Sequence, residues 1–230
     1  MDVRTTIVFS SLALTYLTTL PLTPYVAQFL PKALPIVVLA VFAYTKLSAM
    51  PRYMVLTALL FSLAGDVSLA LPFADSFITG LACFFVAHLT YAMCFALLHR
   101  RLQETPGDHI ISRKPKWLIS IIMVSFAVMM AVHILPASKA LFYPVVAYIS
   151  VITLMGLTAV WLAQTKLIVT GALLFVISDA ILAQSVFKTP LPLSTFWVMT
   201  TYYGAQYCLT MGLVDGFLRK ENRQEEIGQT

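Results

Sequence analysis

The chain has 230 residues, 60% of them apolar and only 11% charged, with a formal net charge of +5. Soluble domains carry about 45 to 50% apolar and about 25% charged residues, so an ordinary soluble domain is excluded. The basic residues are dispersed among short loops without aromatic interleaving, which also excludes a nucleic-acid-binding surface.

The first segment, MDVRTTIVFSSLALTYLTTLPL, has a weakly basic start but no small-x-small cleavage pattern before Pro21 and Pro24. It therefore reads as a retained first span, near 5–22, and not as a signal peptide. Apolar blocks bounded by charge or proline predict further spans near 32–45, 53–71, 76–98, 117–135, 139–163, 167–187 and 193–217. Most approach the roughly 20 residues that cross a bilayer, while the second is short. Backbone groups facing lipid must pair within their own segment, so the blocks are expected as helices, and the alternation of a membrane barrel is absent.

The expected fold is all-α: a polytopic membrane protein with eight transmembrane helices in a single membrane domain over 1–230. The longest connection, RRLQETPGDHIISRKPK, divides the chain. A first four-helix half spans 1–103, a cytoplasmic connection 104–116, a second four-helix half 117–218 and a polar C-terminal tail 219–230. Eight spans place both termini on one side, and twelve of the fifteen basic residues fall there, leaving Lys32, Lys139 and Lys188 opposite. The positive-inside rule then puts both termini in the cytoplasm, consistent with a bacterial inner membrane.

Two acids stand out. FSLAGDVSLAL places Asp66 in the third apolar block, and LLFVISDAILA repeats the arrangement around Asp179 in the seventh. Aligning them, with AHLTY around His88 set loosely against AQYCL around Gln206, predicts two parallel four-helix repeats related by an axis along the membrane normal. Seven other acids lie in loops or tails, and Asp215 precedes Arg219 by one helical turn, the spacing of an ion pair. A carboxylate inside a span costs about 2.5 to 3.5 kcal/mol on insertion scales and faces a cavity or a partner. Hydrogen bonding to a neighbouring helix would explain one such acid; two at equivalent places favour function.

At 1.5 Å per residue, Asp66 and Asp179 lie about 8 and 12 Å below the outer ends of their spans, near the depth of a lipid's glycerol linkage. Tyr148, His88, Tyr91, Tyr202, Tyr203 and Gln206 occupy comparable depths, and Lys32 opens the second span on the outer side. Together they are candidates to line one polar pocket, with Lys32 offered to a phosphate at its mouth. Interfacial tyrosines, an anchoring lysine and a packed histidine are the competing structural readings. Ala58, Ser62 and Gly65 before Asp66, and Gly171 and Ser178 before Asp179, predict close helix approach. No GxSxG elbow makes Ser178 a nucleophile.

Cys83, Cys94 and Cys208 lie in apolar segments without a CxxC pair, which argues against a disulfide framework or thiolate site. His88, His99, His109 and His133 form no HxxxH or HExxH pair and sit at different depths, so no metal and no other cofactor is expected.

FSLAGDVSLAL, GLACFFVAHLTYAMCF, FVISDAILA and YYGAQY, in this order across nearly the whole chain, resemble the YhhN family of membrane lysoplasmalogenases. One departure is PKALP, where proline would be expected directly after the lysine. The resemblance implies hydrolysis of the sn-1 vinyl ether bond of an alkenyl lysophospholipid, releasing a fatty aldehyde and glycerophosphocholine or glycerophosphoethanolamine. It implies Asp66 and Asp179 as catalytic carboxylates, with Lys32, His88, Tyr91, Tyr202, Tyr203 and Gln206 as pocket positions. An enol ether hydrolyses when its β-carbon is protonated and water captures the oxocarbenium ion. The reaction needs an acid and a nearby negative charge, the division of labour seen in paired-carboxylate glycosidases. The expected partners are a lysophospholipid and the bilayer. A proton-coupled small-molecule or lipid transporter would use the same acids, and broken helices near them would favour that class.

Overall fold

Each apolar block folds as a helix, and local chemistry sets several of the ends. The structure is a computed structural model that describes residues 2–25, 27–103, 113–162 and 165–228. The Asp2 carboxylate caps the first helix, accepting from the Arg4 backbone N–H at 3.2 Å and the Thr5 hydroxyl at 3.0 Å, while Thr165 caps the seventh. The described residues give α1 (Val3–Thr19, followed by a 3₁₀ turn, Leu20–Leu22), α2 (Phe29–Lys46), α3 (Ala49–Ala70), α4 (Ser76–Gln103), α5 (Arg113–Ser138), α6 (Phe142–Leu162, after a 3₁₀ turn at Lys139–Leu141), α7 (Lys166–Phe187) and α8 (Ser194–Gly228). No strand occurs among them. Ala27, Ala49, Lys139 and Leu193 adopt left-handed φ at the turns leading into α2, α3, α6 and α8.

Among the described residues, six helical runs are long and apolar enough to cross a membrane: Val3–Leu22, Phe29–Lys46, Ala49–Ala70, Ser76–Arg101, Pro115–Leu162 and Lys166–Phe187. The fifth contains two helices, α5 and α6, which pack side by side. The chain is thus a multi-pass membrane protein, with α8 outside the set that length and composition alone select. The boundaries expected from the sequence hold to within a few residues except in two places. α4 continues through Arg100 and Arg101 to Gln103, and the segment from 219, expected as a polar tail, prolongs α8 to Gly228. Glu, Gln, Lys and Arg are strong helix formers and carry a helix beyond its apolar part without needing a packing partner. Most of the expected connection over 104–116, with Glu104, Asp108 and His109, lies outside the described residues.

The bundle is held by two closely packed pairs, α3 with α4 and α7 with α8; α4 also packs on α6, and α2 on α8. Glycines allow the close approach. A Cβ added at Gly65 would stand 2.7 Å from the Phe84 ring, and one at Gly171 would meet the Leu209 backbone nitrogen at 2.9 Å and the Ala205 carbonyl oxygen at 3.0 Å. Ile36, Leu59, Phe95, Phe175 and Leu213 lie fully buried between helices, whereas Ile121, Ile122, Val128 and Val132 turn outward from α5. Such an exposed apolar face suits lipid and would be a liability in water.

The candidate active site

Asp66 is one turn from the C-terminal end of α3, and Asp179 is eight residues from the end of α7. Both helices run unbroken through their acids. Ser62 and Gly65 are buried beside Asp66, which is itself 3% exposed. Such a carboxylate needs partners. Lys32, in the first turn of α2, places Nζ 3.1 Å from Asp66 Oδ1 and 3.1 Å from the Asp66 backbone carbonyl oxygen. From α8, the Tyr202 hydroxyl donates to Asp66 Oδ2 at 2.5 Å. Tyr203, the next residue of α8, donates to the Lys32 carbonyl oxygen at 2.8 Å, fixing the first turn of α2.

Asp179 has a second, different set. The Tyr148 hydroxyl, on α6, donates to Asp179 Oδ2 at 2.5 Å, and His88 Nε2, on α4, lies 3.3 Å from the same oxygen and 3.1 Å from the tyrosine hydroxyl. The His88 ring is buried against Phe175 at a centroid distance of 4.5 Å, and its Nδ1 has no partner. A proton on Nδ1 would be an unpaired buried donor, whereas one on Nε2 has both the Asp179 carboxylate and the Tyr148 hydroxyl within reach. Both partners bond to Oδ2, leaving Oδ1 without a hydrogen-bond partner among the described residues. The contrast is chemical: Asp66 is paired with a lysine, and Asp179 with a tyrosine hydroxyl and a histidine ring.

Both acids line one cavity of about 480 Å³. It is bounded by the end of α1, the first turn of α2, the C-terminal ends of α3 and α7 and the first turns of α4 and α8, the end of the bundle opposite the described termini. Its walls combine Lys32, Asp66, Asp179 and Tyr202 with a rim of uncharged polar residues, including Thr23, Gln28, Ser76 and Thr195. A smaller cavity of about 80 Å³ adjoins it between α4, α5, α6 and α7, sharing Asp179 and Phe84. Among the described residues, no group of three or more His, Cys, Asp or Glu is placed to hold a metal ion.

The YhhN family profile matches residues 27–213. The chain belongs to the YhhN family. Curated relatives include the human lysoplasmalogenase TMEM86B, 34% identical over 184 residues, which cover 79% of this chain and 73% of the human protein. The pig lysoplasmalogenase TMEM86B is 32% identical over 160 residues, 68% of this chain and 61% of that protein. The bovine lysoplasmalogenase TMEM86A is 29% identical over 171 residues, 70% and 65% respectively. The match thus spans just under two thirds of the pig and bovine proteins. No solved structure matches the chain significantly.

In this YhhN protein the sequence candidates separate into three groups. Lys32, Asp66, Asp179 and Tyr202 line the larger cavity, and Tyr148 lines the smaller one. His88 is fully buried behind Asp179. Tyr91, Gln206 and Tyr203 are not on the cavity walls: Tyr91 donates to Gln206 Oε1 at 2.6 Å across the α4–α8 contact, and Tyr203 supports Lys32. Ser178 donates to the Val198 carbonyl oxygen. Lys32, expected at the mouth, is drawn inward because the buried Asp66 needs its charge. Sequence reasoning passed over Phe84, whose ring stands edge-on to both Phe175 and Tyr202, and the hydroxyl and amide rim, whose residues are ordinary at helix ends. The only signal for Phe84 was its place four residues before His88, on the same helical face.

Proposed function

We propose that this protein is a lysoplasmalogenase that hydrolyses the sn-1 vinyl ether bond of alkenyl lysophospholipids, with Asp179 as proton donor and Asp66 as the ionised partner. The observation that carries the assignment is the unlike pairing of two acids on one cavity, in a chain whose relatives bear that activity. Lys32 stands as the counter-ion to Asp66, which suits Asp66 to the ionised role. Asp179, with no lysine or arginine beside it among the described residues, is suited to holding and releasing a proton through Oδ1.

Asp179 gives its proton to the β-carbon of the vinyl ether, and the double-bond electrons form the new C–H bond. The resulting oxocarbenium ion lies in the field of two carboxylates, Asp66 and the newly ionised Asp179. Water attacks the cationic carbon as Asp66 accepts one of its protons. In the collapse of the hemiacetal, Asp66 returns that proton to the glycerol oxygen, the C–O bond breaks, and the hemiacetal hydroxyl proton restores Asp179. Aldehyde and glycerophospho-base leave with both acids reset. A positioned acid contributes about 10²- to 10⁴-fold in such steps.

All eight α-helices cross the bilayer in this reading, with both termini cytoplasmic and the cavity opening toward the outer leaflet of a bacterial inner membrane. Two four-helix repeats underlie the site. Support comes from the way each acid draws one partner from its own half and one from the other: Lys32 and Tyr202 for Asp66, Tyr148 and His88 for Asp179. The left-handed residues Ala27 and Lys139 precede α2 and α6 alike. The continuity of α3 and α7 argues against a carrier, whose ion sites are built at broken helices.

Purified protein incubated with choline and ethanolamine lysoplasmalogens tests the activity, with a saturated alkyl ether lysolipid as control. Aldehyde release from an alkenyl substrate alone is expected; cleavage of the control, or of no alkenyl lipid, overturns the assignment.

A further inference from the structure

A lysophospholipid changes from polar to apolar within one or two atoms of the vinyl ether bond. The protein contains a boundary of the same kind. On one side lies the large cavity with Lys32 and its rim of hydroxyl and amide groups; on the other lies the small cavity between α4, α5, α6 and α7. The small cavity is lined by apolar side chains such as Phe126, Met130, Val145 and Ile152, with Tyr148, Thr153 and Asp179 as its polar residues. Tyr148 and Thr153 leave no donor searching for a ligand, and Asp179 stands at the junction with the large cavity. Thr153 donates to the Ile149 carbonyl oxygen, and Tyr148 donates to Asp179. The space therefore offers contact to hydrocarbon and nothing to a head group.

We infer that this small cavity is the subsite for the alkenyl chain, taking the carbons next to the ether while the phosphate-bearing glycerol lies in the large cavity. The inference rests on the proposed lysoplasmalogenase activity and deepens it. Of the two acids, only Asp179 lines both cavities, whereas Asp66 lines the polar one alone. A lipid placed across the junction brings its vinyl ether carbons to Asp179 and its glycerol toward Asp66, the arrangement that proton delivery to carbon requires. The rest of a long chain emerges beside α5, whose exposed Val128, Met129 and Val132 are apolar and compatible with lipid. Ala127, a small residue on the cavity wall, is the position where added volume would obstruct the chain.

Two measurements on the full-length protein in detergent test this. In the first, a non-hydrolysable alkyl ether lysophosphocholine carrying a diazirine on an early chain carbon is photocrosslinked to the wild-type protein and the labelled residues are mapped. Label concentrated at Phe126, Met130 or Ile152 is expected. Label on Tyr16, Leu20 or Met199 of the large cavity, label spread over the exposed face of α5, or no label overturns the subsite, whether or not the protein turns over plasmalogens. In the second, hydrolysis of hexadecenyl and octenyl choline lysoplasmalogens is compared in wild type and Ala127→Phe. The variant is expected to lose at least about tenfold more kcat/KM on the long chain than on the short one, the scale on which apolar pockets discriminate. Parallel losses on the two chains contradict the subsite, while failure of the wild type to cleave either chain contradicts the activity and leaves the crosslinking result to decide the subsite.

Discussion

The chemistry of the site turns on the difference between two aspartates. Asp66 and its lysine form a buried pair, in which removing one partner strands the other's charge. Lys32→Met is therefore expected to lower stability by about 3 kcal/mol or more and to abolish turnover, measured by thermal unfolding and aldehyde release in detergent. The double variant Lys32→Met, Asp66→Leu should recover most of that stability and none of the activity. If the single change leaves stability untouched, Lys32 does not compensate Asp66. The acids were legible in the sequence because a carboxylate in an apolar run has no cheap explanation. Their separate partners were not, since His88, Tyr148 and Tyr202 lie 91, 31 and 136 residues from the acids they contact. Setting His88 against Gln206 by sequence also hid its relation to Tyr202, which occupies on α8 the role that His88 has on α4, reaching the acid of the other half.

At the scale of the helices, small residues decide how closely the acids' helices meet their neighbours. Gly171 faces the α8 backbone, whereas a Cβ at Gly204 would meet only the flexible end of Leu174 at 3.2 Å. Gly171→Ala should thus destabilise by about 1 to 3 kcal/mol through overpacking. Gly204→Ala should be neutral or stabilising by up to about 1 kcal/mol, because alanine is the better helix former. Equal unfolding temperatures for the two variants would show that backbone contact between α7 and α8 is not tight. Helix positions were readable from apolar block length, and the small-residue stripe before each acid pointed to close contact. The unexpected length of α8 has a physical cause: hydropathy marks where lipid ends, and a helix made of Glu, Lys, Arg and Gln does not need to stop there.

For the whole molecule, the proposed orientation makes a prediction about which loops face outward. The cavity lies at the end of the bundle remote from both described termini, which places it on the outer side when the basic-rich ends are cytoplasmic. Single cysteines replacing Lys188 and Arg223, in a chain with Cys83, Cys94 and Cys208 changed to alanine, are expected to react differently with an impermeant maleimide in spheroplasts. Position 188 should label and position 223 should label only after lysis; immediate labelling at both would mean that α8 does not cross. The all-helical membrane class was legible in composition. What no linear reading supplied was the meeting of a polar and an apolar cavity at one of the two acids, because it depends on how α4, α6 and α7 converge. The most direct test of the account is aldehyde release from a choline lysoplasmalogen by purified wild type, Asp66→Asn and Asp179→Asn, each shown to be folded by its unfolding transition. The account predicts release by wild type and loss of at least about 10²-fold in each variant; near-normal release by either folded variant would contradict a mechanism that needs both carboxylates.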